Sequence, residues 1–473
     1  MNINDKLKEL GFATISEDFY RKVQEWKSWY IGDVKGFHQY KVRNGTSMVR
    51  CKRYTLNMGK KIPEDWANLL MNERVEITLD GTKEQEFIDR VLKENNFRVR
   101  SNEMQEMAFS LGTVAFIPRV VGMGVTKAGP IPGSATDIII DYVTVEHIWP
   151  LSWQNGVITE CAFDSIVNVN GDDYCYLQIH RKVDGLYNIE NRIYTYRNQN
   201  VDTEVQLTSV QGFERVPPVV HTGSDRRQFV IDRPNIANNF DYSIPLGISV
   251  YANAIDNMKG VDIAFDSYVN EFVLGKKRVM VKPSAQQYLD GEPVFDPDDL
   301  AYYVLPEDIE DGAIIQPIDM NLRTAEHSEG IRTQLNLLSS KCGFGENHYR
   351  FDRGSITTAT QVISENSTMF RTIKKHEIIL ESAIKELCRI ILHLGNTAMG
   401  AGLNEEAEVT IDFDDSIIED KTTERNNDRQ DLAAGIMNDW EYRMKWYNED
   451  EATAKKMLPK MEDLTTELQD DVE

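Results

Sequence analysis

What this 473-residue chain lacks narrows it first. Its five cysteines, Cys51, Cys161, Cys175, Cys342 and Cys388, are scattered with no C-x-x-C pair. Neither a disulfide framework nor a zinc site is indicated, and the thiols read as reduced. No run approaches the ~20 apolar residues that span a bilayer, and Met1–Lys6 is not a basic region leading into an apolar stretch. The expectation is a cytoplasmic protein, or one that goes where cytoplasmic contents go, with no membrane contact. Positive charge is scarce: 52 Lys and Arg stand against 76 Asp and Glu, a net −24. Such a surface repels nucleic acid and anionic lipid, which disfavours a tight DNA binder. Catalytic signatures are missing as well. The eight histidines include no H-E-x-x-H, and His327-Ser328-Glu329 has H-x-E spacing without the P-C-x-x-C of a zinc deaminase. No G-x-S-x-G occurs. The glycine-rich tract Gly122–Gly133 lacks the G-x-x-x-x-G-K-[ST] order and does not lead into a helix, so it reads as a hairpin loop.

What is present is globular: 41% apolar and 27% charged residues with 29 Gly and 15 Pro, over a length that allows two to four domains. Acid is concentrated late, with 22 acidic and 8 basic residues in 401–473. Helical spacing over 4–30 ends at Gly32; a helix is expected from Pro63 to about Asn72, a strand at Val75–Asp80 and a helix over Thr82–Glu94. From about Gly112 to Val220 the period changes to two, predicting one antiparallel meander with turns at Asn170-Gly171 and Asp184-Gly185. Ile248, Tyr251, Ile255, Met258, Asp262, Phe265, Val269 and Phe272 then step by three and four, predicting a helix from Pro245 to Leu274, roughly 45 Å long. Only Asp262 breaks that seam. Short strands with acidic loops follow, then a helix over Ala325–Ser340, a loop with Arg350 and Arg353, and a long helix opened by the capping box Thr358-Ala359-Thr360-Gln361. A strand at Glu408–Phe413, a polar stretch Asp414–Arg429 and helices near 431–437, 440–447 and 451–458 close the chain. Beyond Leu464 apolar content is too low to hold order alone.

This order resembles the portal proteins of long-tailed bacteriophages, the type found in phages of Gram-positive hosts. The residues that carry it are Trp26–Gly32 with Phe37–Tyr40, Pro245–Tyr251, Phe351–Gly354 leading into Thr358–Ser367, Ile411–Asp420 and Ala433–Met437. Gln361 departs from an expected acidic residue, but serves a capping box equally well. The resemblance implies an α+β protomer with an α/β wing, helical stem, small β-containing clip, long wing-to-crown helix and helical crown, assembling as a ring. Its divisions would be a wing (1–240), first stem helix (241–274), clip (275–322), second stem helix (323–341), channel loop (342–357), wing-to-crown helix (358–395), crown (396–464) and an acidic tail (465–473), disordered by composition.

It further implies a head-to-tail connector at one capsid vertex of the virion, built in the host cytoplasm from a ring usually of twelve copies. The ring would pass double-stranded DNA, held non-specifically and weakly, and would meet the terminase motor, a head-tail adaptor, and capsid and scaffolding proteins. No cofactor or metal is implied. Channel-loop candidates are Asn347, His348, Tyr349, Arg350 and Arg353. Both arginines either touch phosphate or pair with Glu346 and Asp352. Stem contacts between copies would fall on Ile248, Tyr251, Ile255, Met258, Phe265, Val269 and Phe272, because so long an apolar seam exceeds what one short partner covers. Asp296, Asp298, Asp299, Glu307, Asp308, Glu310 and Asp311 form either a docking face on the clip or a solubilising surface. The rival reading is a metal-dependent nucleic-acid-processing enzyme using Asp412, Asp414 and Asp415. Strand alternation opposes it, since it places Asp415 on the other face from the first two.

Overall fold

The computed structural model describes residues 2–45, 47–72, 75–126, 129–131, 136–275, 278–281, 288–289, 292–293, 302–304, 315–318, 321–349, 359–413, 421–447 and 449–458. Packing divides the chain into one unit of Met1–Asp352 with Arg371–Phe413 and a second of Arg353–Phe370 with Asp414–Glu473.

In the larger unit, helix Glu17–Ile31 opens at Ser16, whose side chain accepts from the Asp18 amide, and stops at Gly32 in the left-handed region. It buries Phe19, Val23, Trp26 and Trp29 at helical spacing. Strands Gln39–Asn44 and Ser47–Lys52 form an antiparallel hairpin. The next helix runs Met58–Leu70, not from Pro63, which lies inside it. The earlier start lets Gly59 meet the first helix: a Cβ there would sit 2.2 Å from the Trp29 carbonyl oxygen. Helix Phe97–Leu111 had no counterpart in the sequence reading, because its inward face carries Ser101, Gln105 and Ser110 among the apolar residues. Gln105 donates to the buried Asp232 carboxylate.

The expected single meander is two sheets. Val114–Val121 pairs with Asp137–Thr144 and Val230–Asp232. Ile148–Gln154, Val157–Val169, Asp172–Val183, Leu186–Arg197 and Asn200–Val205 form an antiparallel run in chain order, with Val219–His221 added on Leu186–Arg197. Asn170-Gly171 and Asp184-Gly185 turn with positive φ at both residues, as two-residue hairpins require. The glycine tract forms the small hairpin Gly124–Thr126 with Gly129–Ile131.

The helix expected from Pro245 to Leu274 is Ile255–Leu274, 20 residues and roughly 30 Å. Residues 245–254 are non-helical and bury Leu246, Ile248, Val250 and Tyr251 in the core. They lie along the end of helix Phe97–Leu111: the Val250 amide donates to the Phe109 carbonyl at 2.9 Å, and a Cβ on Gly112 would sit 2.5 Å from the Gly247 carbonyl oxygen. Helix Thr324–Lys341 packs against Ile255–Leu274. Between them Arg278–Val281 pairs with Tyr302–Val304 and Ile315–Ile318. Helix Ala359–Met399 follows, and from Ile373 on it buries Leu380, Ile384, Leu387 and Ile391. Strand Val409–Asp412 then pairs antiparallel with Glu76–Leu79.

In the smaller unit, helix Lys421–Ala433 occupies much of the stretch read as irregular, so the expected helix at 431–437 is displaced toward the N-terminus. Charge-assisted contacts hold it where apolar residues are few. Arg425 and Arg429 donate to the Tyr442 hydroxyl at 3.0 and 3.1 Å, and the Trp446 indole donates to Asp428 at 2.7 Å. Helices Asp439–Tyr447 and Glu451–Lys456 complete it.

Candidate functional site

The polar break in the stem seam, Asp262, is 3% exposed. Its carboxylate accepts from the Leu56 amide at 2.9 Å and the Thr55 hydroxyl at 3.0 Å, and lies 3.0 Å from His38 Nε2. His38 Nδ1 accepts from the Val34 amide at 2.8 Å, so the ring proton sits on Nε2 and is donated to Asp262. One turn on, Asp266 accepts from the Tyr54 amide at 2.9 Å. Two carboxylates four residues apart on one helix face thus bind the chain leaving hairpin 39–52. Both Asp262 oxygens and one Asp266 oxygen are occupied by donors, which suits a clamp rather than a general base.

The apolar seam divides at this clamp. Ile248, Tyr251 and Met258 are buried by the chain itself, so the expectation that neighbouring copies cover them is corrected. Ile255, Phe265 and Val269 are half-buried. Phe272 is 43% exposed with Val273 exposed next to it, while Ile263 is exposed half a revolution away, on the opposite side of the helix. Near the far end of the stem, Glu271 accepts from the Arg323 guanidinium at 3.1 and 2.9 Å and from the Arg323 amide at 3.2 Å. Hydrogen bonds from Arg323 draw its carboxyl down to about 2.

The loop after helix Thr324–Lys341 is anchored rather than free. Phe344 stacks on Trp66 at 4.5 Å and on His348 at 4.3 Å, and Trp66 stacks on Phe109 at 5.5 Å. The Trp66 indole donates to the Cys342 carbonyl at 3.1 Å, and the Ser339 hydroxyl donates to the Gly345 carbonyl at 2.6 Å. Asn347, at φ 65, exchanges side-chain and backbone bonds with Asn336, both at 3.2 Å. His348 lies 3.8 Å from Asp65. Burial raises the Asp65 carboxyl, but His348 and Lys61 outweigh it and hold it below its usual range. Burial, then the Asp65 charge, pushes the Tyr349 phenol well up. His376 abuts Trp66 and Phe109, accepts from the Asn235 amide, and is drawn down to about 3 by burial.

His348 and Tyr349 therefore pack with Phe344 against helix Met58–Leu70, while Asn347 is held by Asn336 of helix Thr324–Lys341. Arg350 and Arg353 lie outside the described residues. So do the clip candidates Asp296, Asp298, Asp299, Glu307, Asp308, Glu310 and Asp311. Asp412 stands exposed opposite Glu76, while Asp414 and Asp415 lie outside the described residues. The sequence reading missed Asp65, Trp66 and Asn336 as partners of the loop; their sequence separation from it, apart from Asn336, leaves no local signal.

Among the described residues no group of three or more His, Cys, Asp or Glu is placed to hold a metal, and no helix is long and apolar enough to cross a membrane. A cavity of about 550 Å³ beside helix Ala359–Met399 is lined by Arg227, Lys385 and His393, each paired with a carboxylate, together with Arg389. This mixture favours no single ligand charge.

A family model described as phage portal protein, SPP1 Gp6-like, matches residues 12–143 and 185–463. No curated protein matches the chain. The unmatched stretch, 144–184, holds three successive strands of the larger sheet.

Proposed function

The chain belongs to the SPP1 Gp6-like phage portal proteins, a family of structural head-to-tail connectors, and from that premise we propose that it forms a ring whose lumen conducts double-stranded DNA into and out of the capsid. The observation that carries the ring is the distal stem. Beyond the Asp262 clamp, Ile263, Phe272 and Val273 are 48%, 43% and 45% exposed on a helix whose partner Thr324–Lys341 covers one side. Phe272 and Val273 are open at one end of the helix and Ile263 on its opposite side, and apolar side chains so left in one chain are what the copies flanking it in a ring bury.

In this reading the stem lines the conduit and Arg350 and Arg353 lie near its wall. The acidic clip residues Asp296, Asp298, Asp299, Glu307, Asp308, Glu310 and Asp311 offer the surface for a packaging motor and an adaptor. The net charge of −24 suits a passage that guides without gripping, since every cation on a phosphate adds salt-dependent affinity. Free duplex should bind no tighter than roughly 10⁻⁴–10⁻⁶ M at physiological salt. Electron microscopy of the purified protein is the test. Rings with a central hole are expected; monomers that cleave DNA only with a divalent metal would overturn the reading in favour of an enzyme.

A further inference from the structure

We propose that hairpin 39–52 docks, through its cationic face, on the acidic two-stranded ribbon formed by residues 76–80 and 408–412 of a second copy of this chain. The proposal rests on the ring reading above and adds which surfaces meet.

Residues 34–63 contain eight Lys or Arg and no Asp or Glu, in a chain of net charge −24. The hairpin register sets Gln39 opposite Lys52, Lys41 opposite Arg50 and Arg43 opposite Met48. Residues directly opposed share a face, so Lys41, Arg43, Arg50 and Lys52 stand together, with Tyr40, Val42, Val49 and Cys51 behind them. All four cations are exposed. None has an ion-pair partner among the described residues, and Arg43 donates only to the Gly45 carbonyl.

The acidic ribbon is its counterpart. Glu76 lies directly opposite Asp412, and the Asp80 amide bonds the Glu408 carbonyl at 3.0 Å, which brings the second acidic pair to the other end. Leu79, Val409 and Ile411 point into the core, leaving Glu76, Thr78, Asp80, Glu408, Thr410 and Asp412 exposed. None of the four carboxylates has an ion-pair partner among the described residues.

Like charges facing each other across strands destabilise a sheet. Each copy therefore holds a strained cationic ribbon and a strained acidic one, and no ion pair joins them within the chain. Alternate residues on a strand are roughly 6.6–6.8 Å apart, so the two faces span the same length of about 13 Å, the cationic one with Lys41 and Arg50 at its middle and Lys52 and Arg43 at its ends, the acidic one with a carboxylate pair at each end and Thr78 and Thr410 between. Successive copies in a ring meet through two different patches, which these ribbons supply. Their meeting relieves both repulsions and offsets the mutual repulsion of strongly acidic copies.

The test combines coupling chemistry with charge exchange. In wild-type rings mixed from isotopically distinct copies, a zero-length carbodiimide should join Lys41 or Lys52 to Glu76, Asp80, Glu408 or Asp412 of another copy. Lys41→Glu with Arg50→Glu should lower the ring fraction in sedimentation at least about tenfold while circular dichroism stays native, and Glu76→Lys with Asp412→Lys should do the same. The four changes together should restore rings; Lys41→Gln with Arg50→Gln should fall between. Absence of the cross-link, or wild-type assembly by both reversed pairs, would overturn the proposal. So would a hairpin variant that assembles normally but loses duplex retention, which would assign the hairpin to nucleic acid. A wild-type protein that forms no ring defeats the portal reading itself, whereas rings from wild type and all variants defeat only this contact.

Discussion

His38 donates its Nε2 proton to Asp262 across 3.0 Å, joining the segment between helix Glu17–Ile31 and strand Gln39–Asn44 to helix Ile255–Leu274 through a buried polar pair. The residue that interrupts the apolar seam is thus the one that fixes helix Ile255–Leu274 to the chain on either side of hairpin 39–52. A carboxylate in that position is tolerable only because its oxygens are fully used.

Replacing Asp262 by Ala leaves the Leu56 amide, the Thr55 hydroxyl and His38 Nε2 without their acceptor. A loss of about 3 kcal/mol or more is expected, since each stranded buried donor costs about 1–3 kcal/mol. Asp256→Ala, which removes an exposed carboxylate paired with Lys259, should change stability by less than about 0.5 kcal/mol. Urea unfolding of both variants checks this, and equal effects would remove the clamp from the account.

Met258 and Phe272 separate the two halves of the seam. Met258 is 2% exposed, so Met258→Asp should fail to fold, through burial of an unpaired charge. Phe272 is 43% exposed, so Phe272→Asp should give folded, soluble chains that do not assemble. Light scattering together with circular dichroism distinguishes these outcomes. Intact rings from Phe272→Asp would show that copies do not meet there.

Phe344 holds the start of the loop after helix Thr324–Lys341 against Trp66. Phe344→Ala should destabilise by about 3–5 kcal/mol, the usual cost of emptying a buried aromatic site. Deleting 345–349 is likewise expected to be costly, because Gly345, Asn347 and His348 all have partners in the packed base. Glu346→Ala, at an exposed position, should be neutral within about 0.5 kcal/mol. Chemical denaturation measures all three.

His180 is buried between Phe163 and Phe229 with neither ring nitrogen bonded, and burial draws its pKa down to about 3. The unfolded ring takes a proton near 6.5 and the folded one does not. The associated stability is therefore complete above about 6.5 and is lost as pH falls from there toward 3. His180→Leu should raise stability at neutral pH by about 1–2 kcal/mol, since it removes unsatisfied polar atoms. It should also flatten the decline between pH 6.5 and 4.5. An unchanged slope in stability measured across that range would show that other groups govern acid sensitivity.

Periodicity served the helices whose partners lie in their own hydrophobic stripe. Thr82–Glu94 and the two-residue hairpin turns follow from local spacing and turn chemistry alone. It misled at the stem, because apolar residues at three- and four-residue steps continue through Ile248 and Tyr251 into a segment held by backbone bonds to Phe109. Burial there selects the same residue types as a helix face would, and the intervals cannot tell the two apart. Helix Phe97–Leu111 leaves a weak stripe for the converse reason: its buried face carries Gln105, whose partner Asp232 is far along the chain, and Ser101, which bonds back to the Arg98 carbonyl of its own helix. The anchoring of Phe344 by Trp66 and the acidic ladder between Glu76–Leu79 and Val409–Asp412 depend on tertiary register, which no single stretch of sequence encodes.

The pairing of Val409–Asp412 with Glu76–Leu79 also sets a schedule for synthesis. The earlier strand leaves the ribosome with its partner still to be made, and at about 5–20 residues per second the wait is roughly 20–70 s. Throughout that interval an open strand edge is available to any other nascent chain, and its closure requires a loop of more than about three hundred residues. Glu76 and Asp80 flank that edge with negative charge, the kind of residue that discourages edge-to-edge association. The carboxylates that crowd one another in the finished ribbon thus protect the chain before the ribbon exists.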